Sequence, residues 1–383
     1  MTLPTDPVAL AQSLIRCPSV TPEDNGALEV VAAALTRLGF ACHRLRFEEP
    51  GTAPVDNLYA RLGEGEPNLA FAGHTDVVPP GDLDAWRLPP FAGEVQGGEL
   101  YGRGAVDMKG AVACFIAATA RFLADRRPAG SISLVITGDE EGPAINGTRK
   151  VLGWLKERGE TLDACLVGEP TNPTRLGEMV KIGRRGSLTG HLTVSGVQGH
   201  AAYPERADNP IPKLLAMLQV LSSESLDGGS EHFQPSELVI TSVDVGNPAH
   251  NVIPAAARAT FNVRYSERYT ARTLEAALRT RLDTVGADYR LETSEGAEPF
   301  LTTPGAFTDL LEALIERELG VLPELSTTGG TSDARFIKEV CPVVEFGLVG
   351  ETIHQVNERV AIADLEALTR VYQALIESYV RAA

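Results

Sequence analysis

The chain has 383 residues, and its 34 lysines and arginines against 51 aspartates and glutamates give a formal net charge of −17. This length predicts two domains, since one domain usually takes roughly 100–200 residues. Nucleic-acid binding depends on clustered basic side chains, so the acidic balance predicts no nucleic-acid partner.

The first part of the chain alternates between helical and strand-like segments. Apolar residues spaced for one helix face occur near 8–15, 27–38 and 108–124. Short apolar runs bounded by turn residues occur at 68–72, 131–137 and 164–167. Buried strands that alternate with helices are typical of an α/β fold with a mostly parallel sheet flanked by helices.

The pattern changes after about Lys181. Segments 188–194 and 259–265 alternate apolar with polar residues, and helical segments near 211–222 and 270–285 lie among them. This predicts an inserted α+β two-layer sandwich with an antiparallel sheet. The α/β pattern returns after Phe300, with helices at 307–319 and 365–380 and a strand at 343–346. We therefore predict a discontinuous catalytic domain at 1–182 and 297–383, and an inserted lid and dimerisation domain at 183–296.

Several features predict a cytoplasmic location and no membrane partner. The longest strongly apolar stretch, at about 111–120, is shorter than the roughly 20 residues that cross a bilayer. The first residues lack a basic region followed by an apolar one, which predicts no signal peptide. The cysteines are odd in number, scattered and without a CxxC motif, which suits reduced thiols.

Metal-type residues follow the predicted buried strands or precede the long helix. These residues are His74, Asp107, Glu141, Glu169 and His354. Taken singly, such a histidine is more often structural, and such a carboxylate is often a helix cap. Because ligands bind beyond the carboxyl ends of strands in open α/β sheets, five such residues at one sheet edge favour a metal centre.

The charges of these side chains favour two divalent ions. The three carboxylates carry −3, so two M²⁺ ions and one hydroxide bring the total to zero. In this arrangement Asp107 bridges the ions, His74 and Glu169 complete one site, and Glu141 and His354 complete the other. Imidazole and carboxylate ligands suit zinc first, with cobalt or manganese as alternatives.

Two further acids flank these ligands. Asp76 lies two residues after His74 and is placed to hold the distal ring nitrogen of that histidine. Glu140 is the remaining carboxylate beside a ligand, so we expect it to act as general base and acid, taking a proton from metal-bound water. The alternative is that Glu140 points to solvent. GxSxG and HExxH motifs are absent from the sequence.

Four segments around these residues resemble the M20 family of co-catalytic metallopeptidases and deacylases. They are residues 73–79 (GHTDVVP), 101–110 (YGRGAVDMKG), 139–141 (DEE) and 167–170 (VGEP). The resemblance extends over essentially the whole chain. It implies the ligand set above, Glu140 as acid and base, and a cis peptide bond between Asp107 and Met108.

Later segments are similar to one subgroup of that family, which cleaves succinyl amides of diaminopimelate in bacterial lysine synthesis. They lie at 181–187, 199–204, 251–254 and 329–336. The resemblance implies a dicarboxylic amide substrate. It also implies a homodimer formed through the lid, with His200 reaching the other subunit's active site to stabilise an oxyanion. The substrate-binding candidates are Arg184, Ser187, Tyr203, Asn251, Arg264 and Thr331.

Two positions depart from the family pattern, and two alternative functions stay open. The family usually has asparagine where His250 and Gly350 stand, which leaves substrate contacts at both positions undecided. One alternative is another M20 deacylase, such as an acetylornithine deacetylase or an aminoacylase, with the same metals and a different lid pocket. The other is a metal-binding protein without turnover, which would be expected to have lost a ligand or the base.

Overall fold

The computed structural model describes residues 4–380. Its helices are α1 (Pro7–Ile15), α2 (Ala27–Arg37), α3 (Lys109–Leu123), α4 (Thr148–Glu157), α5 (Pro210–Ser222), α6 (Ala271–Asp283), α7 (Ala306–Leu319), α8 (Ala334–Ile337) and α9 (Ile362–Tyr379). Its strands are β1 (Ala41–Phe47), β2 (Val55–Leu62), β3 (Asn68–His74), β4 (Glu94–Gln96), β5 (Glu99–Tyr101), β6 (Ser131–Thr137), β7 (Ala164–Val167), β8 (Met179–Lys181), β9 (Gly183–Arg184), β10 (Gly186–Ser195), β11 (Gly199–His200), β12 (Glu237–Asp244), β13 (Val252–Ile253), β14 (Ala256–Tyr265), β15 (Tyr289–Ala297), β16 (Phe300–Leu301), β17 (Glu324–Ser326), β18 (Val343–Glu345) and β19 (Arg359–Ala361).

The chain divides into two compact units. The first extends to Ile182 and resumes over Thr302–Ser326 and from Ser332 onward. The second comprises Gly183–Leu301 together with Thr327–Thr331. The segment Thr327–Thr331 interrupts the first unit along the chain, and the sequence contains no signal that it belongs to the second. The catalytic and dimerisation roles of the two parts stay a prediction.

The first unit is built on an eight-stranded sheet with the order β1-β2-β6-β3-β7-β18-β8-β17. Strand β3 runs parallel to β6 and β7, β7 runs parallel to β18, and β17 runs parallel to β8. The pairs β1–β2, β2–β6 and β18–β8 are antiparallel. The mostly parallel sheet flanked by helices is therefore confirmed, with antiparallel pairs at one edge and near the other.

Aromatic packing holds helices against the centre of this sheet. Strand β3 is buried along its whole length. The ring of Phe71 on β3 stacks on Phe115 of α3, with ring centroids 4.4 Å apart, and meets the edge of Tyr372 of α9 at 5.8 Å. Apart from Arg121, every residue of α3 is buried, which explains its continuous apolar sequence.

The parallel strands bring the metal-type residues to one edge of the sheet. Strand β3 ends at His74, and the neighbouring strands β6, β7 and β18 end at Thr137, Val167 and Glu345. The segments that follow these last three carry Glu140 and Glu141, Glu169, and His354. Because parallel strands end on the same side, these segments begin close together.

The second unit is a two-layer α+β sandwich, as predicted. Its antiparallel sheet has the order β12-β14-β10-β15. Inward side chains such as Leu192 and Phe261 share one buried core with Met217 of α5 and Leu278 of α6. Helix α6 begins at a capping box in which Thr270 accepts a hydrogen bond from the Thr273 N–H.

All five cysteines are free, and Cys114, Cys165 and Cys341 are buried. Within residues 4–380, we find no helix that combines the length and the apolar character needed to cross a bilayer.

Candidate metal centre

The first half of the centre surrounds His74, which is completely buried at the end of β3. Its Nε2 atom lies 3.2 Å from Asp107 Oδ1 and 3.6 Å from Glu169 Oε1. Asp107 lies just before α3, and its peptide bond to Met108 is cis, as the family resemblance implies. His74, Asp107 and Glu169 therefore converge from three separate segments.

The second half surrounds His354, whose side chain is 46% exposed. Its Nε2 atom lies 2.8 Å from Glu141 Oε1 and 3.3 Å from Asp107 Oδ2. The backbone of His354 has a φ of 58°, in the left-handed region that non-glycine residues rarely adopt. This conformation occurs in the loop that turns the imidazole toward Glu141 and Asp107.

Asp107 lies between the two histidines, with one carboxylate oxygen facing each imidazole. Ligand atoms of His74, Asp107 and Glu141 all lie within 4.8 Å of one another, and so do those of His74, Glu140 and Glu169. Imidazole nitrogens and carboxylate oxygens are the donors that zinc, cobalt and manganese accept. The donor set and its spacing thus fit metal ions.

The charges in this cluster strongly favour added positive charge. Burial opposes protonation of His74, but the carboxylates of Asp107, Asp76 and Glu169 outweigh it and hold the His74 pKa well above its ordinary value. Hydrogen bonds to Asp107 and Glu141 raise the pKa of His354 to about 10. Burial raises the pKa of Asp107, but the two imidazoles more than compensate and lower it. A divalent ion in place of the protons on the two histidines would supply positive charge to the same carboxylates.

Asp76 faces the distal ring nitrogen of His74 with two of its oxygens. Its main-chain carbonyl oxygen lies 2.9 Å from His74 Nδ1. Its carboxylate lies 3.6 Å from that nitrogen and accepts hydrogen bonds from the N–H groups of Glu140 and Glu141. Asp76 therefore anchors the loop that carries both glutamates, a contact that residue spacing alone does not predict.

Glu140 lies beside the cluster without a hydrogen-bonded partner for its carboxylate among residues 4–380. Burial and the neighbouring Glu169 carboxylate raise its pKa well above the ordinary value for glutamate. Ligand atoms of Glu140, His74 and Glu169 lie close enough to share an ion, so geometry alone also allows Glu140 to be a ligand. A carboxylate that no protein donor holds is free to exchange a proton with a molecule bound there.

The predicted substrate residues fall into two groups in the second unit. Strands β11 and β13 pair through His200 and Val252, next to Asn251, whose carbonyl accepts from the Ala201 N–H. The rings of His200 and Tyr203 lie 5.7 Å apart. In the second group, Ser187 and Arg264 are register partners on β10 and β14.

Arg184 and Thr331 also lie in the second unit. The side chain of Arg184 lies against Gly329, two residues before Thr331. Of the two departures from the family pattern, His250 is exposed in the turn before Asn251. A Cβ atom at the other, Gly350, would lie 2.7 Å from Ile353 Cδ1.

Sequence reasoning missed three charged residues that are buried in the first unit. They are Arg103, Asp333 and Glu358. Both carboxylate oxygens of Asp333 are buried, and neither has a hydrogen-bond partner among residues 4–380. Arg103 and Asp333 occur in the segments that resemble the family, which was the available signal. Glu358 is in none of these segments, and only the structure identifies it.

Known proteins of one family are similar to this chain over most of its length. The family described as peptidase family M20/M25/M40 matches residues 70–378. A curated relative from Rhodospirillum centenum, named succinyl-diaminopimelate desuccinylase, is 60% identical over 98% of this chain and 97% of the relative.

Two solved structures share the fold at low sequence identity. An aminopeptidase from Bacillus cereus superposes with a TM-score of 0.79 at 18% identity, covering 98% of each chain. A protein from Bacillus subtilis, described as a dinuclear metal-binding peptidase of the M20 family, gives a TM-score of 0.68 at 16% identity, covering 98% of each chain. From the family match and the 60% identity along nearly its full length, the chain belongs to the M20/M25/M40 peptidase family.

Proposed function

We propose that this chain is a metal-dependent amide hydrolase. It converts N-succinyl-L,L-2,6-diaminopimelate and water into succinate and L,L-diaminopimelate, in the lysine and diaminopimelate pathway. The observation that carries this proposal is the convergence of His74 and His354 on the two oxygens of Asp107. The name and the 60% identity of the Rhodospirillum centenum relative support the substrate.

The residues that would hold the cations follow from the contacts. His74 and Glu169 would hold one divalent ion, Glu141 and His354 a second, and Asp107 both. Zinc is our first choice, with cobalt or manganese as alternatives. Such ions, when bound, polarise the amide carbonyl and lower the pKa of a water molecule.

Glu140 is proposed to move the proton in the reaction. Its carboxylate takes a proton from the attacking water while the water oxygen bonds to the succinyl carbonyl carbon. The carbon–nitrogen bond then breaks, and Glu140 returns the proton to the leaving amine. The absence of hydrogen-bond donors to this carboxylate within the described chain supports the role, because such donors would disfavour the protonated form.

Arg264 and Ser187 are the proposed contacts for a substrate carboxylate. Arg264 has no carboxylate partner among the residues that the structure describes. Burial and the nearby Arg185 guanidinium lower its pKa. An anion would relieve this repulsion, and a guanidinium binds a carboxylate through two parallel hydrogen bonds. Arg184, Tyr203, Asn251 and Thr331 are the further proposed substrate contacts.

We also propose a cytoplasmic homodimer formed through the second unit. His200 would serve the active site of the other subunit by donating a hydrogen bond to the oxyanion. Its Nδ1 atom accepts a hydrogen bond from the Ala202 N–H at 3.0 Å. This contact fixes the neutral tautomer with the proton on Nε2, which is the donor that the role requires.

An assay of the purified chain tests the substrate. With zinc added and metal counted per chain, we expect turnover of N-succinyl-L,L-diaminopimelate to exceed that of N-acetylornithine. Faster turnover of N-acetylornithine would indicate a different M20 deacylase. No turnover of either amide by the metal-loaded chain would contradict the proposed reaction.

A substitution at Arg264 tests the carboxylate contact. Arg264→Lys keeps the charge but loses the paired hydrogen bonds, so we expect KM for the succinyl substrate to rise by roughly 10–100-fold. Arg258→Lys is the matched control, because Arg258 lies on the same strand and is exposed. Equal KM values for the two variants would contradict the role of Arg264.

A further inference from the structure

Arg103 and Glu358 form an ion pair that is almost completely excluded from solvent. Their side chains are 2% and 0% exposed, and Arg103 Nη1 lies 2.7 Å from Glu358 Oε2. Removing two charges from water is costly, and the attraction compensates for it only when further hydrogen bonds satisfy the remaining polar atoms. The other bonds of the pair therefore indicate what it does.

The bonds of Glu358 hold the segment that ends at Asp107. Oε2 accepts from the N–H of Gly104 at 3.0 Å. Oε1 accepts from the N–H groups of Val106 at 2.9 Å and Asp107 at 3.2 Å. The backbone of the residue that faces both histidines is thus fixed by a fully buried carboxylate.

The bonds of Arg103 hold two other segments of the same centre. Its Nη1 donates to the carbonyl of Gln355 at 3.2 Å, and its Nη2 donates to the carbonyl of His354 at 3.3 Å. Nη2 also donates to the carbonyl of Pro79 at 3.3 Å, in the segment that follows His74. One guanidinium therefore links the His354 loop to the segment that Glu358 holds.

We infer that Arg103 and Glu358 are a positioning pair that sets the distance between the Asp107 carboxylate and the His354 imidazole. Within residues 4–380 neither side chain bonds to the side chain of a proposed ligand, so the pair acts through the backbone of these two ligands. This inference rests on the proposed metal centre. It implies that binding of the ion held by Glu141, Asp107 and His354 depends on the pair. The ion at His74, Asp107 and Glu169 shares only the contact of Glu358 with the Asp107 backbone, so it depends much less on Arg103.

Cobalt binding to an Arg103→Lys variant tests this inference. Lysine keeps the charge beside Glu358 but lacks the fork that reaches the carbonyls of His354 and Pro79. We would titrate the metal-free variant with Co²⁺ and follow the visible absorption of each bound ion. Loss of a partner that orients a metal ligand typically lowers metal affinity by about 10–100-fold. We expect this loss of affinity only for the ion held by Glu141, Asp107 and His354.

Two reference proteins assign the affected site. His354→Ala supplies the absorption spectrum of Co²⁺ at the His74 side alone. Arg61→Lys is the matched control, because Arg61 forms a half-buried ion pair with Glu160 and none of its hydrogen bonds reaches a proposed ligand. We expect Arg61→Lys to bind both ions as the unaltered chain does.

Glu358→Gln gives an independent second variant. Its amide N–H₂ would face N–H groups that now donate to Glu358, including that of Asp107, so we expect both ions to bind more weakly. Dissociation constants within twofold of the unaltered chain for both variants would overturn the inference, and so would equal weakening of both sites in Arg103→Lys. Failure of both variants to fold while Arg61→Lys folds would also overturn it, because the pair would then act in folding alone. An unaltered chain that binds two cobalt ions but does not cleave the succinyl amide would refute only the proposed substrate.

Discussion

Asp107 in the first unit and Asp227 in the second are both aspartates with lowered pKa values, but their surroundings differ. Asp227 Oδ1 accepts from the N–H groups of Gly229 and Ser236, and its Oδ2 accepts from the hydroxyls of Ser236 and Ser266. Asp107 meets no such neutral donors within residues 4–380: its two oxygens face the imidazoles of His74 and His354.

The comparison separates a structural carboxylate from one suited to a metal. Neutral donors satisfy Asp227, so it needs no further partner and fixes the turn that contains Gly229. The partners of Asp107 are themselves metal-type ligands, and they must carry protons to bond with it. A divalent ion can replace those protons and bind all three side chains. This difference, rather than burial, identifies the first site as a cation site.

The largest expected effect is at Glu140. Replacing it with glutamine removes the proton acceptor but keeps the shape, so we expect kcat to fall by about 10³-fold, within the range for general acid–base catalysis. Both metal ions should remain, as counted by atomic absorption. Glu157→Gln, an exposed acid on α4, is the control and should keep full activity. A Glu140→Gln variant that keeps its ions and a third of the activity would show that another group moves the proton.

Metal removal is expected to be stepwise. The His354 side chain is 46% exposed and that of His74 only 1%. A chelator should therefore remove the ion at His354 first. Loss of that ion should lower kcat by about 10²-fold, since a metal contributes several kcal/mol to stabilising the transition state. Metal content and activity would be measured together during dialysis against the chelator. Simultaneous release of both ions would mean that exposure does not control the order.

From the sequence we predicted the first unit's sheet and named the five residues that the structure brings together, because strand ends and metal-type residues coincide. Sequence reasoning missed β1, which has no buried residue and no clear apolar pattern, and β2, whose apolar residues are interrupted by Asp56, Asn57 and Arg61. It did not predict that the main-chain oxygen of Asp76 lies closer to the His74 ring than the carboxylate, because spacing does not reveal whether a backbone or a side-chain oxygen faces a ring. Glu358 could not be found, since its partners at Gly104, Val106 and Asp107 lie about 250 residues away along the chain.

The smallest expected effect concerns stability rather than turnover. Replacing Asp227 with alanine leaves the N–H groups of Gly229 and Ser236 without their acceptor. We expect the free energy of unfolding to fall by about 1–3 kcal/mol at pH 7, measured by urea denaturation of the metal-free chain. Asp288→Ala, an exposed acid, is the control and should change it little.

The stability lost in the Asp227→Ala variant should depend on pH, and this dependence gives a sharper test of Asp227. Burial raises the pKa of Asp227, but hydrogen bonds from Ser236, Gly229 and Ser266 lower it below its ordinary value. A folded-state pKa below the unfolded value contributes stability that is present above the unfolded pKa. This contribution disappears as the pH falls through the folded pKa. The gap in unfolding free energy between the unaltered chain and Asp227→Ala should therefore narrow in acid. If the difference in unfolding free energy stays constant down to about pH 3, Asp227 stabilises the fold through its shape and not through its charge. The difference between Asp227 and Asp107 would then not be electrostatic.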